Sequence, residues 1–311
     1  MLNNSEIGFL EHRIHPENHT RLHRAIEVFI ISLISFVGFE SLIKVENLYQ
    51  PIVYIKLSGA IYLLLFIWMH FIFDLHFRSR EPEHSIFRQL KDRLKHFLVW
   101  ENFRHFQNYL ILPGTIYWGS VVVIGINFGH NGLQQLLAVC SSLALVFAYT
   151  FFGKLLGRRI NADNEVHFLI LTYVKIYSAW LLFAGSLGIT WYYCFPEYLY
   201  HLTVFMVSFI LLYQILFLFH ATTFKNVIRA AGIALIMSLV SIAVYHFWNV
   251  NYFTAGLFLT AIYNFLWTLL FHSIRRSLTA EVLIEQMAFL ALLLVMIFGI
   301  TNFKERIERC V

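Results

Sequence analysis

Nine runs of largely apolar residues, each long enough to cross a lipid bilayer, leave this chain few folds to choose from. A hydrocarbon layer about 30 Å thick needs roughly 20 residues of helix. The runs 25–45, 52–76, 109–128, 133–155, 167–189, 198–220, 227–248, 252–272 and 282–301 all reach that length. Lipid offers the backbone no hydrogen bonds, and over unbroken apolar runs of this kind only helices satisfy it. The expected fold class is all-α: a polytopic integral membrane helical bundle of about nine transmembrane helices, with one interfacial amphipathic helix. A polar N-terminal segment at 1–24 precedes the transmembrane domain, 25–301, and a short tail, 302–311, follows it. Residues 1–24 are polar and the first apolar run is too long for a signal-peptide core, so no cleaved leader is expected. Only 13% of the residues are charged, about half the usual share in a soluble domain.

The orientation follows from one interval. Residues 77–108 hold Arg78, Arg80, Arg88, Lys91, Arg93, Lys95 and Arg104, seven of the chain's 23 Lys and Arg. Basic residues beside spans stay in the cytoplasm. With the N-terminus inside, seventeen Lys and Arg fall on the cytoplasmic side and five outside, with Lys175 within a span. The tail 302–311 is then expected outside, although it is basic. This distribution accounts for the net charge of +5 without a nucleic-acid partner. Within the interval, Phe87, Leu90, Leu94, Phe97 and Leu98 recur at helical spacing opposite Arg88, Lys91, Arg93 and Lys95. That is the pattern of a helix lying among headgroups, with those four basic residues placed for anionic lipid. Cys194 and Cys310 fall on the external side and Cys140 within a span. An impermeant thiol reagent is expected to label Cys194 or Cys310 but not Cys140, and a disulfide between the first two is possible only if the tail folds back.

Polar residues inside spans are costly and are candidates for function. His70 and Asp74 stand near the inner end of the second run, and Glu285 near the inner end of the last. At 1.5 Å per residue Lys175 and Asn264 lie about 12 Å in and Gln214 about 9 Å. Two readings compete for this set. They converge on a pocket in the cytoplasmic leaflet, or each is satisfied locally, with Gln214 and Asn264 joining neighbouring helices. Lys175 is too deep to reach water easily, so it calls for a partner, and Asp74 and Glu285 are the carboxylates available in the same leaflet. A Schiff-base lysine is disfavoured because no carboxylate matches its depth. The spacing of His19, His23 and Glu27 at i, i+4, i+8 suits a metal, but solvated histidines in a polar tail explain it as well, and no metal or other cofactor is assigned. The functional expectation is a lipid- or isoprenoid-handling protein, an enzyme or a binder, with membrane lipids as its partners. A small-solute or ion transporter and a structural subunit of a membrane complex are the alternatives. Sparse Gly and Pro (15 and 5) favour continuous helices over the broken ones of many transporters.

Overall fold

The computed structural model describes residues 21–46, 51–75, 100–155, 165–218 and 221–303, of which 21–27, 69–75, 100–109, 151–155, 165–168 and 218 are described in backbone only. Among the described residues the regular structure is all helix, nine helices and no strand. They are α1 Arg21–Glu46, α2 Pro51–Leu75, α3 Trp100–Ile126, α4 Asn131–Leu155, α5 Glu165–Tyr192, α6 Glu197–Leu218, α7 Phe224–Phe247, α8 Tyr252–Arg275 and α9 Ala280–Ile300. Eight of them carry a stretch long and apolar enough to cross a membrane, and in α3 the apolar stretch Leu110–Ile126 is shorter. The chain is a helical membrane bundle.

The described helices shift most of the expected boundaries by one to four residues, and in α3 both ends differ. The run 109–128 stops as helix at Ile126, because Gly129 takes a left-handed conformation (φ 78°) in the turn before α4. At its other end α3 begins at Trp100, inside the interval read as a separate surface helix. No Gly or Pro stands between Trp100 and Leu112 to interrupt it, and the helix continues through Pro113. The remainder of the amphipathic pattern, with Arg88, Lys91, Arg93 and Lys95, lies outside the described residues.

The chain divides into two compact units, Met1–Gly114 with Ala138–Val174 and Thr115–Leu137 with Lys175–Val311. In the first, α1 packs on α2. Gly38 is the point of approach, since a Cβ there would lie 2.8 Å from Ile61 Cγ2. Ser35 and Ser58, both buried, return their hydroxyls to the helix backbone at Ile31 and Tyr54.

The second unit is organised around α5. Its contacts with α3 climb both helices together: Ser178 donates to Thr115 (2.7 Å), Leu181 and Leu182 meet Gly119, Gly185 meets Val122, and Gly188 meets Ile126. The two helices are therefore parallel, meeting along residues three or four apart on each. Contacts with α8 run the other way, from Gly188 against Tyr252 through Ala184 against Gly256 to Phe183 against Tyr263. At Gly256 the backbones themselves touch: a Cβ would lie 2.7 Å from Ala184 Cβ and 2.9 Å from its Cα and N. Small residues permit such approaches, which is how helices gain packing energy where lipid supplies no hydrophobic drive. Trp180 closes the pair by donating its ring N–H to Phe253 O at 3.3 Å.

Around this core, α6 and α7 form a hairpin tied by His201 Nδ1 to Ser241 Oγ (2.8 Å) and by Ser238 Oγ to His201 O (3.2 Å). The helix α9 exposes nearly its whole length, with Ile297 its buried residue. Its far end joins an aromatic cluster in which Trp248 meets Phe298 and Phe303 at 5.3 and 5.4 Å. Cys194, in the turn between α5 and α6 at φ 53°, is disulfide-bonded and Cys140 is free. The expectation of an open thiol at Cys194 is thus corrected, while Cys310 lies outside the described residues.

Candidate functional site

Lys175 sits in α5 about 15 Å from the start of that helix, level with residues about 12 Å from the end of α8. It is 3% exposed, and its Nζ has no hydrogen-bond partner among the described residues. What it meets instead is aromatic. Nζ lies 3.7 Å from the centroid of the Trp267 ring and 5.9 Å from that of Tyr263. These two rings stand one turn apart on α8, so the antiparallel α5/α8 contact delivers both to the same lysine. Both are buried, and the Tyr263 hydroxyl is likewise without a hydrogen-bond partner among the described residues.

Magnitudes show that the rings alone do not settle this ammonium. A desolvated cation–π contact returns about 2 kcal/mol. Removing an unpaired charge from water costs several kcal/mol even after relaxation. Lys175 and Tyr263 are thus two buried donors in one aromatic setting, and what they lack is an acceptor. Carboxylate, phosphate and carbonyl oxygens are the chemical groups that supply one.

The other residues read from the sequence are distributed as follows. Gln214 is buried in α6, 4% exposed. Asn264 follows Tyr263 on α8 and is half-buried. Glu285 is exposed on α9. His70 and Asp74 lie in the described backbone of α2, but their side chains are outside the described residues. His19 lies outside them altogether, as do the side chains of His23 and Glu27. Among the described residues no group of three or more His, Cys, Asp or Glu is placed to hold a metal ion. The sequence reading missed Tyr263 and Trp267, because it looked for a charge to answer Lys175. The signal was present as two aromatics at i, i+4 and matching depth.

A continuous helical bundle of this hydropathy, with an ammonium buried against aromatic rings, defines an integral, multi-pass membrane protein. A family described as "Protein of unknown function (DUF5656)" matches residues 43–300, and the chain belongs to that family. No curated protein and no solved structure matches it.

Proposed function

We propose that the protein handles lipid, taking an isoprenoid or other apolar-tailed ligand whose acidic, oxygen-bearing head meets Lys175. The observation that carries the reading is the pair of buried donors, Lys175 Nζ and Tyr263 Oη, without an acceptor among the described residues. A ligand reaching this depth must bring an apolar tail, which points to lipid rather than to a free anion. The test is native mass spectrometry of the protein released from gently solubilised membranes. The wild type is expected to retain an anionic lipid that Lys175→Met loses and Lys175→Arg keeps in part. Equal retention by wild type and Lys175→Met would remove the proposal.

The basic loops are proposed to face the cytoplasm, with the N-terminus inside and the tail outside. The disulfide at Cys194 supports this orientation, because such bonds persist on the oxidising side of a membrane. In intact cells an impermeant thiol reagent is expected to leave Cys194 unmodified until an impermeant reductant is added. Modification only after the membrane is permeabilised would reverse the orientation.

A further inference from the structure

An open cleft of about 660 Å³ lies at the end of the second unit where the turn after α3, the end of α5 and the start of α8 meet. It is separate from Lys175, since Tyr192 stands 17 residues further along α5, about 26 Å of helix. Its floor is a buried polar pair. Tyr252 Oη donates to Asn127 Oδ1 at 2.7 Å, and Asn127 Nδ2 donates to Val123 O at 2.6 Å. The rim is aromatic: Tyr192 packs edge-on against Tyr252 with centroids 6.0 Å apart, and Tyr193 is 63% exposed. The imidazole of His130, also in the lining, is exposed. Asn251 uses its Oδ1 to cap α8 at Phe253 N (2.8 Å), which leaves its amide N–H groups for something else.

The hydrogen-bonding groups that line the cleft among the described residues are neutral side chains: His130, Asn127, Asn251 and the tyrosines. An imidazole offers one donor and one acceptor, a carboxamide donates through nitrogen, and a phenol does both. Hydroxyl groups answer all of these at once without bringing charge. Exposed tyrosine faces supply flat apolar platforms for the C–H face of a ring, and the size falls within the range of small-molecule sites. An aromatic belt explains tyrosines at a membrane rim, but not a concavity with a hydrogen-bonded floor. We propose that this cleft binds a neutral polyhydroxylated ring, a sugar either carried on a membrane lipid or free in solution.

The experiment places the full chain in phosphatidylcholine nanodiscs and titrates it with maltose, read by saturation-transfer NMR. A parallel preparation that includes a glucosyl-diacylglycerol is read by native mass spectrometry. Glucolipid retained in preference to phosphatidylcholine assigns the sugar to a lipid, and maltose saturation assigns it to a soluble saccharide. In either case Tyr193→Ala and His130→Ala, both at exposed positions, are expected to weaken binding about tenfold, while Tyr193→Phe keeps most of it. Neither ligand bound, binding unchanged in both alanine variants, or displacement of the sugar by choline would overturn the proposal. Lys175→Met leaves this binding unchanged, so failure here and failure at Lys175 are separable.

Discussion

Changing Gly256 to valine is expected to destabilise the folded protein by about 2–3 kcal/mol, the upper part of the usual range for overpacking. The reason is what stands opposite. A Cβ at Gly256 runs into the Cα and N of Ala184 at 2.9 Å as well as into its Cβ, and backbone atoms in a helix cannot swing aside. Trimming the partner with Ala184→Gly is therefore expected to recover only part of the loss. The same chemistry elsewhere has the opposite sign. At Gly232 in α7 an added Cβ would meet nothing within 4 Å among the described residues, so Gly232→Ala is expected to gain about 0.5–1 kcal/mol from helix propensity. Heating each variant in detergent and following the surviving monodisperse peak measures both. Equal effects at the two glycines would mean that α5 and α8 are not in backbone contact.

Lys175→Met gives the second large effect. Freed of lipid, the wild type keeps the Lys175 amine buried against Trp267 without a hydrogen-bond acceptor among the described residues. Methionine fills similar volume and carries no charge, so the delipidated variant is expected to be more stable by about 1–3 kcal/mol, as when buried charges give way to packed apolar groups. A loss of about 3–5 kcal/mol, the usual result of breaking a buried ion pair, would show instead that a carboxylate inside the protein holds the lysine. Differential scanning fluorimetry before and after lipid removal distinguishes the two results.

Hydropathy made the helices legible, because a run that crosses lipid must be helical and apolar over a fixed length. Ends were less so: Trp100 continues α3 because nothing local breaks it, and Gly129 stops it by backbone conformation, a choice that periodicity does not register. Of the candidate site, Lys175 was found by depth alone. Its neighbours were not, because Trp267 and Tyr263 look like ordinary packing until the α5/α8 register is known. That register depends on Gly188 and Gly256. A count of glycines calls them sparse, while their placement, opposite small or yielding partners, is what brings the helices together. Cys194 shows a different limit, since sequence spacing carries no information on the distance between sulfurs.

The parallel course of α3 and α5 has a consequence for synthesis. Parallel neighbours cannot be consecutive, and a whole crossing, α4, separates these two. Thr115 and Gly119 therefore enter the membrane before Ser178 and Leu182 exist to meet them. The delay is longer for Lys175, because Trp267 is 92 residues further on, about 5–20 s at ordinary elongation rates. Until α8 arrives Lys175 stands without its rings. A chain that stalls before Trp267 thus carries its own mark of incompleteness, a polar amine at membrane depth without its rings, which completion of α8 covers.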